Sequence, residues 1–126
     1  MNQLKTITLY CMLCLLGVSL IGCKGKADEN KPMDKVKAEA DTMTVEKLKA
    51  TAMAYKNAVM AKQKDAEKLM DQLKNIPAME AMSSEAKKLQ ADVTALQTSI
   101  KNLKDRFTVY YDKLKEKGGD TSGLEL

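Results

Sequence analysis

The 126-residue chain has no histidine and no tryptophan, one phenylalanine (Phe107), two prolines (Pro32, Pro77) and three cysteines. All three cysteines fall within the first 23 residues, as Cys11, Cys14 and Cys23. Beyond Cys23 there is no thiol and no imidazole. That excludes thiolate catalysis, histidine acid–base chemistry and imidazole metal sites from the rest of the chain. Glycine is absent between Gly25 and Gly118. No Gly-rich phosphate loop fits in that interval, and little there would stop a helix. So few aromatics argue against a thick globular core, and the 30% charged residues suit long exposed helices.

What is present is charge of both signs, interspersed. There are 21 basic and 17 acidic residues, a formal net charge of +4. Only Lys5 among the charged side chains precedes Cys23, so residues 23–126 carry a net +3. Lys and Glu alternate instead of forming a basic block, which reads as a solvated surface. Without a basic stripe carrying aromatics, nucleic acid is not an expected partner.

The first 22 residues are of another kind. Met1 to Lys5 are basic, and Ile7 to Ile21 (ITLYCMLCLLGVSLI) are almost wholly apolar. That run is shorter than the ~20 residues a membrane span needs. A basic start, a short apolar region and a small residue at a boundary make a secretory signal peptide. The boundary here is Leu20-Ile21-Gly22-Cys23. It resembles the lipobox of bacterial lipoproteins, with a branched apolar residue three places before the cysteine and Gly just before it.

The resemblance implies that Leu20, Ile21 and Gly22 form the cleavage-site recognition sequence for a signal peptide spanning 1–22. It also implies that Cys23 becomes the acylated first residue of the mature chain, carrying diacylglycerol and often a further palmitate-type chain. Cys11 and Cys14, a C-x-x-C by spacing, lie inside the signal and are discounted. Two or three acyl chains hold a protein far more firmly than the marginal grip of one. The expected location is the bacterial cell envelope, with the membrane reached through the acyl chains on Cys23. Lys24 resembles the residue at that place in the outer-membrane class, so outer membrane is favoured over plasma membrane. Small lipidated coiled-coil proteins that are linked to murein have a similar architecture. They end in Lys or Arg, whereas this chain ends Gly-Leu-Glu-Leu.

The remaining chain divides by composition. Residues 23–31 hold the lipidated Cys and a polar segment (KGKADENK, Lys24 to Lys31), expected as a flexible tether reaching roughly 25 Å when extended. Residues 32–117 are rich in strong helix formers. Residues 118–126 (GGDTSGLEL) are expected as a flexible tail after a helix stop at Gly118-Gly119. Within 32–117 one break stands out, Asn75-Ile76-Pro77, because proline and its predecessor both resist helical geometry. Ser83-Ser84-Glu85 offers a second helix start with a serine N-cap. The predicted elements are helix 1 over about 32–74, a turn within 75–83 and helix 2 to about 117.

Apolar spacing supports a fold-back. Met79, Met82, Ala86, Leu89, Val93, Leu96, Ile100, Leu103, Phe107, Tyr110 and Leu114 recur in alternating steps of three and four. Val45, Leu48, Ala52, Tyr55, Val59, Lys62, Ala66, Leu69, Leu73 and Ile76 do the same, with Lys62 the single polar seam residue. Such repeats make a coiled-coil seam. The predicted fold class is all-α, a long antiparallel two-helix coiled-coil hairpin following a cleaved lipoprotein signal peptide.

A tight turn would pair Tyr55 with Ile100 and Lys62 with Val93. A turn using the whole 75–83 loop slides the register by a few residues. Each arm would be roughly 45–60 Å long. The open end would sit near the lipid and the turn would point away from it.

Met53, Met60, Met70, Val109 and Tyr111 remain outside the seam. They are either a tolerated exposed face or the surface on which a homodimer closes a four-helix bundle. Tyr111 is the aromatic candidate for a contact surface.

Nothing in the pattern calls for catalysis, a metal or a cofactor. Carboxylates are many, but a two-helix hairpin offers no cleft to desolvate them. The expectation is a non-enzymatic structural or scaffold protein of the envelope. The alternative is a surface-displayed helical lipoprotein that binds an external protein or other ligand, along its helices or at the tip.

Overall fold

The computed structural model describes residues 26–126. The signal peptide, the Leu20-Ile21-Gly22 motif and Cys23 lie outside the described residues. Three quarters of those described are helical, and none is in a strand. Helix α1 spans Met33–Thr42, α2 spans Val45–Lys74 and α3 spans Ser84–Glu116, with a 3-10 turn at Ala78–Glu80 between the long pair. At 1.5 Å per residue α2 and α3 are about 45 and 50 Å long. They pack antiparallel as the hairpin that the seam spacing predicts.

Local chemistry sets the ends. The Ser83 hydroxyl accepts from the Ala86 N–H at 3.1 Å and caps α3. At the far end Gly118 takes a left-handed φ of +71°. Its N–H donates to Lys115 O at 3.0 Å, and the Gly119 N–H donates to Leu114 O at 2.9 Å. This paired closure is a Schellman motif, and it needs a residue free of a β-carbon penalty. Pro77 opens the 3-10 turn with φ −57°.

The seam is buried where it was expected, but not evenly. Leu48, Ala52, Tyr55, Val59, Leu103, Phe107, Tyr110 and Leu114 are all at most 7% exposed. Toward the tip only Ala66 and Ala86 are buried, while Leu69, Leu73, Leu89, Val93 and Leu96 are half-covered. Met79 and Met82 do not belong to the seam at all, being 98% and 78% exposed. They precede the Ser83 cap, so the helix that would have turned them inward has not begun.

The register follows from the long loop. Lys62 Nζ meets Ser99 Oγ at 3.4 Å rather than lying opposite Val93. Tyr55 stacks on Tyr110, with centroids 5.4 Å apart, rather than on Ile100. Using all of 75–83 to reverse direction displaces each partner toward the C-terminus of α3.

Three departures from the predicted organisation change the molecule. Helix 1 is not continuous over 32–74. It breaks at Met43-Thr44, where Thr44 is extended and its hydroxyl accepts from the Lys47 N–H at 3.4 Å. Segment 26–31 is not a free tether, because it docks on the hairpin. Segment 118–126 is not a loose tail. It folds back along α2, with an Asp120–Lys49 ion pair, a 2.8 Å bond from Lys56 Nζ to Gly123 O, and Leu124 fully buried. In each case a polar-looking segment contributes one or two apolar side chains to a core that two helices cannot close.

Candidate functional site

The most elaborate polar site gathers around the N-terminal segment. Helix α1 runs parallel to α3. Lys31 lies at Arg106, Glu39 at Tyr110, Asp41 at Lys113 and Met43 at Lys117. The chain therefore enters beside the middle of the hairpin, runs to its open end as α1, and turns back at Met43-Thr44 into α2.

Arg106 is the centre of this arrangement. It is 8% exposed, a charge taken out of water in an otherwise apolar layer. Its guanidinium forks onto one carbonyl, Lys31 O, through Nε at 2.9 Å and through Nη2, while Nη1 donates to Asn102 O at 2.8 Å. Every arm of the cation is spent on backbone, which satisfies the cost of burying it.

Two tyrosines complete the clamp. The Tyr55 hydroxyl donates to Asp28 O and accepts from the Asp28 N–H, both at 3.2 Å. The Tyr110 hydroxyl donates to Glu39 Oε2 at 3.3 Å, and the same carboxylate pairs with Lys31. Burial pushes the Tyr110 phenol well above its ordinary value, with Tyr55 and Glu39 adding to the shift. It stays a neutral donor.

Beyond Asp28 the segment continues along the hairpin's flank. Lys26, Ala27, Asp28 and Glu29 face Ala58, Lys62 and Leu103 across a shallow groove. Glu29 Oε2 is buried 3.4 Å from Lys62 Nζ. The nearby Ser99 hydroxyl and the Lys62 cation hold the Glu29 carboxyl below its ordinary value against the opposing effect of burial. Lys62, the one polar seam residue, thus sends its ammonium out of the seam to the docked segment.

A second feature is the tip. Gln72, Asn75, Ile76, Pro77, Glu80, Glu85 and Leu89 surround an open hollow there, and Met79 and Met82 project beside it in the chain.

Tyr111, singled out from sequence, is half-buried. It stacks on Phe107 at 5.5 Å, and Lys115 Nζ lies 5.8 Å from its ring centroid. Of the residues outside the seam, Met53, Val109 and Tyr111 pack against the core, while Met60 and Met70 stay over 40% exposed. Leu20, Ile21, Gly22 and Cys23 lie outside the described residues. Sequence reasoning missed Arg106, Glu39 and Leu124. Arg106 sits one place before Phe107 in a charged helix and carries no spacing signal of its own.

Among the described residues no group of three or more His, Cys, Asp or Glu is placed to hold a metal ion. No described helix is long and apolar enough to cross a membrane.

The class that this geometry defines is a small all-helical hairpin protein with residues 28–39 clamped to its side. Comparison with protein-family profiles, with curated proteins and with solved structures finds no match that would take the identification further.

Proposed function

We propose that this chain is a lipid-anchored protein of the bacterial cell envelope with a non-catalytic, structural or scaffold role. The observation that carries the reading is the Leu20-Ile21-Gly22-Cys23 boundary behind a short apolar run. The fold is compatible with it. Three buried polar groups of the hairpin, Arg106, Tyr55 and Tyr110, are engaged in holding residues 28–39. None of them is presented to a cleft where a substrate could sit. With no histidine and no thiol after Cys23, a scaffold is the economical reading.

The experiment is the Cys23→Ala variant. It should accumulate as a longer, unlipidated precursor, distinguished from the mature chain by intact mass. Maturation to the same mass, still partitioning with detergent, defeats the proposal.

The exposed tip favours one alternative, a surface-displayed lipoprotein that captures an external ligand there. Protease treatment of intact cells separates the two. Ready cleavage favours display outward, and protection favours a scaffold within the envelope.

A further inference from the structure

The anchor and the docked segment together constrain how the molecule meets a bilayer. Lys26 lies against Ala58, Lys62 and Leu103, near the midpoints of α2 and α3. Cys23 is three residues earlier, so it is at most about 10 Å from that point even if the chain is fully extended. From Ala58 the helix runs about 20 Å to the open end and about 25 Å to Lys74, with the tip loop beyond it. A rod tied at its middle by so short a link cannot stand upright on a membrane. One half would have to pass through the surface. It must lie along the bilayer or tilt one end down to it.

The two ends are chemically unlike. The open end presents Lys115, Glu116, Lys117, Asp41 and Asp120, all exposed and charged. The tip presents Met79 at 98% and Met82 at 78% exposure, next to Ile76 and Pro77, with the exposed carboxylate of Glu80 between them as the one charge within 76–82 and Met70 43% exposed on the approach. These are among the few large apolar side chains that the described residues leave in water. Methionine is flexible and adapts to an irregular apolar surface. A charged side chain gains nothing by leaving water, whereas an exposed methionine does.

Resting on the lipid anchor proposed above, we infer that the 76–82 tip is a lipid-contact site. The mid-hairpin attachment holds it down so that Met79 and Met82 enter the headgroup region. The anchor fixes position, and the tip fixes tilt.

The test uses the full acylated chain reconstituted in phosphatidylcholine vesicles. An environment-sensitive fluorophore is placed on Met79→Cys and, separately, on Glu116→Cys. Both positions are exposed, so neither variant threatens the core. Lipids carrying a shallow nitroxide quencher should dim the label at 79 by about twofold or more, since an interfacial apolar group sits about 5–10 Å into the boundary. The label at 116 should stay close to its value in quencher-free vesicles.

Quenching at 116 with none at 79, equal quenching at both, or none at either, overturns the tip contact while leaving the anchor intact. Intact-mass measurement on the same sample reads the anchor independently. A chain that carries no acyl group on Cys23 overturns both.

Discussion

Gly119 shows how much one missing side chain decides. A β-carbon there would lie 2.2 Å from Leu114 Cδ1 and 2.8 Å from Val45 Cγ1. The backbone lies directly on the core, and that close approach steers the last residues back along α2. Gly119→Ala is expected to cost about 1–3 kcal/mol by overpacking, read as a lower urea midpoint in circular dichroism. Gly118→Ala meets nothing within 4 Å and is strained only by its φ of +71°. It should cost about 1 kcal/mol.

Arg106 makes the opposite case, a residue essential for what it holds. Arg106→Ala leaves Lys31 O without its two donors and opens a gap beside α1. The expected loss is about 1.5–3 kcal/mol, as for hydrogen bonds to a charged group. Amide hydrogen exchange should accelerate across 28–40 more than across 60–100. Uniform acceleration would mean that Arg106 supports the hairpin rather than the docked segment.

Among the elements, the break between α1 and α2 matters most. Asp41, Thr42 and Thr44 all lie low in helix propensity and crowd the junction. Thr44 is the functional cap, and Glu46 in the first turn is held below its ordinary value by its own backbone N–H and by Thr44. Thr44→Ala and Ser83→Ala should each lower stability by about 1 kcal/mol, seen in thermal melts. The Ser83 change should loosen the tip half, and the Thr44 change the open end. Alternating steps of three and four located every buried residue of α2 and α3 near the open end except Thr51 and Arg106. They did not reveal the break between α1 and α2, which the sequence reading ran through as one helix.

Taken whole, the molecule is lopsided. Near the open end, α1 and the 118–126 segment turn two helices into a closed core containing Val36, Ala40 and Leu124. Toward the tip the hairpin is bare. Hydrogen exchange should therefore be slowest around Leu48–Val59 and Leu103–Leu114, and should quicken steadily toward 70–90. A flat profile along α2 would contradict this gradient.

Acid should loosen the molecule through its cross-element ion pairs. Asp120 is held below its ordinary 3.8, first by hydrogen bonding with Lys49. Asp41 is lowered likewise by Lys113, and Glu29 by Ser99 and Lys62. Carboxyls lowered in the folded state bind protons more readily when unfolded. Their contribution is whole above the unfolded values of about 4 and is lost as pH falls through the folded ones. Melting temperature should be lower at pH 3 than at pH 6. An unchanged value would show that these pairs add nothing net.

Helix class, the 75–83 reversal, the Gly118-Gly119 stop and the seam were legible because each is written locally, in propensity, proline placement and a periodic repeat. The address proposed for the protein is likewise a local signal, 23 residues long. Docking of 26–31 and of 118–126 was not legible. Polar composition says that a segment can be solvated, not that it is. Single apolar residues such as Leu124 carry no period, and whether they are buried depends on the concavity waiting for them. Only the packed hairpin creates that concavity, so only the tertiary structure decided where the chain enters the rod and which end is left bare.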